Sequence, residues 1–514
     1  MTETETTDRG RRSVLAPLYV LVAVKLLFHL AVNLQGGYGI FRDELYYLAC
    51  ADHLAWGYVD QPPLSIFLLA VTRALLGDSL FALRLVPAIA GAAVVLVTGL
   101  LARELGGGRF AVTLAALGSM IAGFNLAVSG IWSMNVFDLL LVALASYFLT
   151  RLLRTGDPRW WLAIGAALGL GLLDKIGVLW VGLGVFAGIA LTRERRWLST
   201  WWPWAGGAVA AALFLPYVLW NVANGWPHLE FIDRAVSGKY SGLSAWSFLS
   251  GQVLVQNPFN LPLWLAGLAW LFFARGGRRF RPLGIVWLTA CVVLAVNGHS
   301  KADYLASAYA ALFAAGGVAW ERTLPNRAAV RGAALAFVAA GALLAPFAVP
   351  MLPVPTYVAY ARALGIAPST PEGHELGELP QFYADMFGWE EKARAVAEVY
   401  HALPEEDRRR AAIFSDNYGR CGAIDYWADE YDLPGAIGNH NSYWLWGPGD
   451  ATGEVVVVLG GDRDDLERRF ESVEKAGVAG CEHCIPYERD LPIYVCRHLR
   501  LTMEELWPLA KHYD

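Results

Sequence analysis

Two acids stand side by side at Asp43-Glu44, and a third, Asp60, opens the run Asp60-Gln61-Pro62-Pro63-Leu64. A positioned carboxylate can take a proton from an attacking hydroxyl or amine. Adjacent residues on a helix point about 100° apart, so Asp43 and Glu44 are not expected to share one task. One can face a cavity as a base while the other caps, pairs or binds a cation. The bland alternative is a charge pair stabilised by the dipole at a helix N-terminus. Other residues with chemical reach recur along the chain: Arg84, Asp138, the Asp174-Lys175 pair, His228, Lys301 and Tyr304.

These residues sit in a chain of 514 residues that is 56% hydrophobic and only 17% charged, where a soluble protein carries about a quarter charged residues. The deficit is uneven: 14–350 holds long apolar runs, whereas 354–514 has the composition of a soluble domain. A net charge of -5 implies no nucleic-acid partner. A helix needs about 20 apolar residues to cross the hydrocarbon core. Spans are expected near 14–34, 81–103, 109–128, 131–153, 159–173, 175–192, 201–221, 253–274, 281–297, 303–320 and 329–350, about eleven in all by that length rule. No small-residue cleavage site follows the first apolar stretch, so it is expected to be retained.

Basic residues stay on the cytoplasmic side in short loops. With the N-terminus inside, the clusters at Arg103/Arg109, Arg151/Arg154/Arg159, Arg193/Arg195/Arg196, Arg275/Arg278/Arg279/Arg281 and Arg322/Arg327 all share that side. The opposite loops hold isolated cations: Arg42, Arg73, Lys175, Arg234, Lys239 and Lys301. An odd span count then places 353–514 outside the cytoplasm. Acids crowd the outer side at Asp43, Glu44, Asp52, Asp60, Asp78, Asp138, Asp174, Glu230, Asp233 and Asp303. Ionisable groups at membrane depth are costly and usually functional, so a water-accessible outer cavity lined by carboxylates is expected. The first outer loop, 35–80, is too long and too apolar for a simple connector; one or two interfacial amphipathic helices ending at Pro62-Pro63 are expected.

Taken in order, these features resemble the GT-C glycosyltransferases, specifically the protein O-mannosyltransferase and aminoarabinose-transferase relatives of families 39 and 83. Phe41-Arg42-Asp43-Glu44-Leu45-Tyr46-Tyr47 resembles their Asp-Glu element in the first outer loop. Val59-Asp60-Gln61-Pro62-Pro63-Leu64 is similar to their acid-Lys-Pro-Pro-Leu element, with Gln61 where lysine is common. Trp132-Ser133-Met134-Asn135-Val136-Phe137-Asp138 resembles the second acidic site, and Asp174-Lys175 the outer turn with a lysine. Asn221 to Phe231 resembles the segment after the seventh span. Ser300-Lys301-Ala302-Asp303-Tyr304-Leu305, with Ala308 to Phe313 after it, resembles the Lys-x-x-Tyr-Leu element without its two prolines.

The resemblance covers about 1–350. It implies a GT-C transmembrane catalytic domain over 1–352, a polytopic α-helical fold in the plasma (inner) membrane, and an extracytoplasmic α/β domain over 353–514. It further implies an inverting transfer of a sugar from a polyprenyl-phosphate carrier to an acceptor, which could be glycan, lipid, protein or small molecule. Asp43 would be the general base, with Glu44 beside it. Lys301, Lys175 and Arg84 are the outer-side candidates to stabilise the leaving phosphate, and Tyr304 could donate to it; simple snorkelling is the alternative for the lysines. Asp138 could hold sugar or acceptor, or cap a helix at the membrane surface. Asp60 and Gln61 would lie at the donor site, and Asp60 with His228 stands where relatives hold a divalent metal.

In 354–514, AAIFSD (411–416), EVVVVLGG (454–461) and LPIYVCR (491–497) have the pattern of buried strands. The aromatic- and Gly-rich stretch after Asp416 suits a carbohydrate-stacking lid over the cavity, or an ordinary loop packed on a core; the second is preferred. Cys421, Cys481, Cys484 and Cys496 favour disulfides over zinc in an oxidising compartment, with connectivity open; Cys50 and Cys291 are expected to be inert. A transporter or flippase of lipid-linked sugars is the competing class, but repeated halves and paired broken helices are not evident. A non-catalytic sugar-binding assembly subunit is the other alternative, and applies if Asp43 proves dispensable.

Overall fold

The computed structural model describes residues 3–238, 240, 242–324, 326–370 and 375–514. Lys239, counted above among the isolated cations, lies outside them. The first part is a helical bundle. Its helices are α1 (Glu3–Gln35), α2 (Arg42–Asp52), α3 (Leu64–Leu76), α4 (Leu80–Glu104), α5 (Arg109–Ile121), α6 (Gly123–Val128), α7 (Met134–Thr155) and α8 (Trp160–Asp174). After these come α9 (Val178–Ala190), α10 (Trp202–Ala223), α11 (Pro227–Ser237), α12 (Ala245–Val255), α13 (Leu261–Phe273), α14 (Arg281–Asn297), α15 (Ala310–Thr323) and α16 (Arg327–Leu344). Among the described residues six segments are long and apolar enough to cross a membrane: Val14–Gln35, Leu80–Glu104, Met134–Thr155, Trp202–Ala223, Arg278–Asn297 and Ala328–Phe347. Shorter apolar helices stand at most of the other expected positions. The protein is a membrane protein.

Two expected spans are interrupted, and the interruptions meet. The 109–128 run breaks at Ala122 (ψ 123°) into α5 and α6, and the 253–274 run breaks over 256–260 between α12 and α13. A break frees carbonyls that lipid cannot satisfy, so such backbone survives only inside protein. Here the Asn260 amide donates to Gly118 O at 2.9 Å, Asn257 to Ile121 O at 3.1 Å and Asn125 to Ser119 O at 2.8 Å. The stretch expected as a span from 303 likewise begins as a 3-10 turn over Ala302–Tyr309 before α15.

The segment between α1 and α4 carries two short helices, as its apolar pattern suggested, but Pro62-Pro63 does not end them. Pro63 is the N-cap of α3, a place where the missing proline N–H costs nothing. After α16 come α17 (Val354–Ala363) and α18 (Trp389–Ala402), and then a sheet ordered β2-β1-β3-β5-β4. Its strands are β1 (Ala411–Ser415), β2 (Ala436–Gly438), β3 (Val455–Leu459), β4 (Phe470–Ala479) and β5 (Leu491–Leu499). β1 pairs in parallel with β2 and β3, while β5 runs antiparallel to β3 and β4.

Every residue of β3 is buried. One face, with Val455, Val457 and Leu459, packs on Val396 and Val399 of α18; the other, with Val456 and Val458, meets Leu466 and Phe470. This is why a continuous apolar run marked the strand. β1, β3 and β5 were expected. β2 is three residues long, and β4 is a charged edge whose Glu471, Glu474 and Lys475 protect it from pairing with other chains. Cys481 is bonded to Cys484, while Cys421, Cys496, Cys50 and Cys291 are buried free thiols. One bridge therefore forms where two were open to pairing, and its cysteines are not zinc ligands.

Candidate active site at the α2 platform

Helix α2 carries the Asp-Glu pair, and its two acids have different surroundings. Glu44 points inward, with its side chain 1% exposed. Its carboxylate accepts the Phe41 N–H at 2.9 Å, closing the first turn, and the Trp132 N–H at 2.7 Å. Arg84 of α4 completes a bidentate pair at 3.1 and 2.6 Å and also donates to the Gly39 carbonyl at 2.9 Å. Bidentate guanidinium–carboxylate pairing is both strong and directional. It fastens α2 to α4 and to the approach of α7, and Arg84 itself is only 4% exposed.

Asp43, the neighbouring residue, faces outward with its side chain 39% exposed. The Tyr418 hydroxyl donates to its Oδ1 at 2.9 Å, and the Arg42 guanidinium stands 3.5 Å away. Tyr418 belongs to α19 (Tyr418–Tyr426), which follows β1. Asn417 caps this helix by accepting the Gly419 N–H at 2.8 Å. Arg420 anchors it through Glu488 at 3.0 Å and Asp416 at 2.8 Å. The helix lies directly on α2: a Cβ on Gly422 would stand 2.8 Å from the Leu45 backbone carbonyl carbon and oxygen. Only glycine permits that approach.

A second polar chain runs beside the first. Ser442, at the start of α20 (Ser442–Trp446), accepts the Val59 N–H at 3.2 Å and bonds the Tyr46 hydroxyl at 2.8 Å. Tyr46 in turn donates to Asp60 Oδ1 at 2.8 Å. Burial, and then the Asp60 charge, raise the Tyr46 pKa well above its ordinary value, so it stays a donor. His228, on α11, places Nδ1 3.1 Å from the Val59 carbonyl. A carbonyl only accepts, so Nδ1 carries the proton and Nε2 keeps its lone pair. Burial lowers the His228 pKa to about 4, which holds the imidazole neutral. Tyr47 marks where these groups converge: burial first, then Asp60, Asp43 and Asp174, raise its pKa.

A third cluster lies at the ends of α7 and α8. The Lys175 ammonium donates to Asn135 Oδ1 at 2.7 Å, stands 3.9 Å from Asp138, and lies 5.3 Å from the Tyr304 ring centre. Asp138, Lys175 and Tyr304 are thus brought together, with the buried Asp174 beside them. Lys301 stands 4.7 Å over the Tyr240 ring. Gln61 is buried, and its backbone carbonyl accepts the Tyr58 N–H at 3.0 Å.

Residues 60–220 match the family model of dolichyl-phosphate-mannose-protein mannosyltransferases. The fold matches ArnT from Cupriavidus metallidurans bound to undecaprenyl phosphate, with TM-score 0.60 and 16% identity over 94% of this chain and 98% of that one. The apo form of the same protein gives 0.59 and 17%, over 93% and 97%. The chain has the fold of ArnT. Comparison with curated protein sequences returned no match. Neither the family-model match nor the end-to-end fold match favours a transporter or an assembly subunit.

Of the residues in this candidate site, Tyr418, Ser442, Tyr46 and Asn135 are not among those singled out from the sequence. Tyr46 and Asn135 lie inside segments already singled out. Tyr418 and Ser442 fall in the aromatic- and Gly-rich stretch for which ordinary packing was preferred; it packs on α2 and reaches Asp43. The available signal was local: Asn417 before Gly419 and Gly422, a cap followed by small residues at helical spacing.

Proposed function

We propose that this protein is a glycosyltransferase that transfers a sugar, with inversion, from a polyprenyl-phosphate carrier to an acceptor on the non-cytoplasmic face of the plasma membrane, with Asp43 as general base. The carrying observation is the division of labour on α2: Glu44 is fully engaged in fixing the helix, and Asp43 faces outward, 39% exposed, held by Tyr418. Asp43 takes the proton of the acceptor's hydroxyl or amine as that group attacks the anomeric carbon. The bond to the carrier's phosphate oxygen breaks, and the phosphate leaves as an anion that needs no general acid.

Developing charge on that phosphate calls for nearby fixed cations and donors. Lys175, oriented by Asn135 and Asp138, and Lys301 with Tyr304 supply them; Arg84 belongs instead to the scaffold. The undecaprenyl-phosphate complex of the solved ArnT supports the donor class. An apolar groove of about 340 Å³ between α8, α9 and α10, lined by Ile164, Leu168, Leu183 and Phe186, suits an isoprenoid chain. Asp60 and His228 fit a divalent cation in donor chemistry: a carboxylate, and a neutral imidazole whose Nδ1–H is oriented by the Val59 carbonyl, as the far nitrogen of a ligating histidine usually is. Such a cation would add positive charge beside the phosphate. The domain limits 1–352 and 353–514, with the second part outside the cytoplasm, belong to the same reading.

The test is sugar transfer from a panel of labelled polyprenyl-phosphate sugars by purified protein in nanodiscs, wild type beside Asp43→Asn. Loss of donor cleavage with donor binding retained is the expected outcome. Equal turnover in both proteins would remove Asp43 from the chemistry.

A further inference from the structure

Beside Tyr418, whose ring centre lies 4.7 Å from that of His440, the side chains of His440, His512 and Asp514 converge. One nitrogen of each ring and one carboxylate oxygen lie within 4.8 Å of one another, and among the described residues they form the one group of three or more such side chains. His440 Nε2 is 2.7 Å from Asp514 Oδ1, and His512 Nε2 is 3.3 Å from Asp514 Oδ2. The two rings lie 4.8 Å apart at 21°. We propose that this site binds a divalent transition-metal cation, of which zinc is the type, through His440 Nε2, His512 Nε2 and Asp514.

Three features support the proposal. The donor set is two imidazoles and one carboxylate, the soft-and-hard mixture that zinc and its neighbours take, with one position left open. Next, the backbone holds the donors in place without help from their side chains. Asn441 N–H donates to His512 O at 2.8 Å and His512 N–H to Asn439 O at 3.0 Å. The Asn441 side chain bonds both backbone groups of Asp514 at 3.2 Å. Finally, the site is only partly open: His440 is 5% exposed, while His512 and Asp514 line the approach. Metal–ligand bonds near 2.1 Å put tetrahedral donors about 3.4 Å apart. His440 and Asp514 would therefore separate slightly, whereas His512 and Asp514, 3.3 Å apart, already stand near that spacing.

One contact must change on loading. Tyr418 N–H points at His440 Nδ1 at 3.4 Å, so without a cation the ring proton sits on Nε2 and is given to Asp514. A cation on Nε2 moves that proton to Nδ1 and opens the Tyr418 contact. Cation binding is then felt by the residue that holds Asp43.

The experiment uses the full chain in nanodiscs, stripped with chelator and titrated with Co²⁺ followed by its visible d–d absorption, then with Zn²⁺ in competition. The wild type and His228→Ala, which alters the other candidate metal position, should each bind Co²⁺ at this site. His512→Ala and Asp514→Asn should weaken it at least tenfold. His512→Cys restores a ligand and should regain binding with a new thiolate charge-transfer band, which separates loss of a ligand from loss of fold. Absence of Co²⁺ binding in the wild type, binding unchanged in both ligand variants, or binding that depends on His228 instead would each overturn the proposal.

Discussion

Replacing Arg84 with methionine is expected to damage the scaffold and not the chemistry, and the size of the effect follows from the Glu44 contacts. The carboxylate has four donors within 3.1 Å: two from Arg84, one from Phe41 N–H and one from Trp132 N–H. Both side chains are nearly inaccessible, at 5% and 1%. Arg84→Met leaves Glu44 buried with backbone donors alone, a truncation that costs about 3–5 kcal/mol. Glu44→Gln leaves the guanidinium buried without a counter-charge, facing only the neutral amide oxygen and Gly39 O, and should cost a similar amount. The double variant Glu44→Gln/Arg84→Met has no buried charge, and contacting pairs couple by up to about 3 kcal/mol, so it should recover much of either single loss. Apparent Tm at one fixed scan rate, because membrane proteins unfold irreversibly, gives the cycle. Donor turnover per folded molecule gives the chemistry. The double variant should turn over within about tenfold of wild type, whereas Asp43→Asn keeps its Tm and loses about 10²–10⁴-fold, the range for a general base. If Arg84→Met melts like wild type, the scaffold argument fails. If the double variant is stable yet as inactive as Asp43→Asn, Glu44 is the base.

Three further outcomes are expected. Gly422→Ala forces a methyl against the Leu45 backbone at 2.8 Å, which should cost about 1–3 kcal/mol and lower turnover by moving Tyr418; a variant with unchanged Tm and activity would separate α19 from the site. Lys175→Met should lower kcat about 10²-fold, as for loss of one electrostatic stabiliser, with little change in acceptor KM, and an unchanged kcat would take Lys175 out of the reaction. Asp425, which accepts from the Tyr443 hydroxyl and Ala436 N–H, is pushed up to about 6 by burial. Its folded pKa exceeds the unfolded value, so its stabilising effect is complete below pH about 4 and is lost as pH rises through about 6. Two units correspond to about 3 kcal/mol at most, less what water reaches the partly buried group. Asp425→Asn should flatten that part of the Tm–pH curve, and parallel curves would refute the assignment.

The parts of the fold legible in sequence were those set by local composition. Long apolar runs marked the helices, and the β-branched run Val455–Val458 marked the central strand. The broken helices were illegible, since nothing near Ala122 tells that Asn257 and Asn260, far along the chain, will satisfy its freed carbonyls. β4 was illegible for the opposite reason: an edge strand carries charges where a buried one carries valine. At the site, helix geometry already required Asp43 and Glu44 to differ. Which acid turns inward depends on Arg84, forty residues on, and that contact has no local signature. The same holds for Tyr418, which meets Asp43 across 375 positions.

That long-range contact explains how so short a helix can carry the chemistry. α2 has 11 residues, and an isolated helix of that length is marginal in water, so its own hydrogen bonds do not hold Asp43 still. A base misplaced by an ångström loses most of its effect. The protein fixes α2 from two sides. Glu44 is tied beneath to Arg84 and Trp132, and above, α19 lies against Leu45 at a distance only Gly422 allows, delivering Tyr418 to Asp43. The helical bundle supplies only the first clamp; the second comes from the sheet-bearing part, where Arg420 is itself anchored on Glu488. Changes at Glu488 or Arg420, in a part of the chain where no described helix is long and apolar enough to cross a membrane, should therefore appear as lost turnover at Asp43 with donor binding intact. A Glu488→Gln variant that keeps wild-type kcat would show that α2 needs only the clamp beneath it.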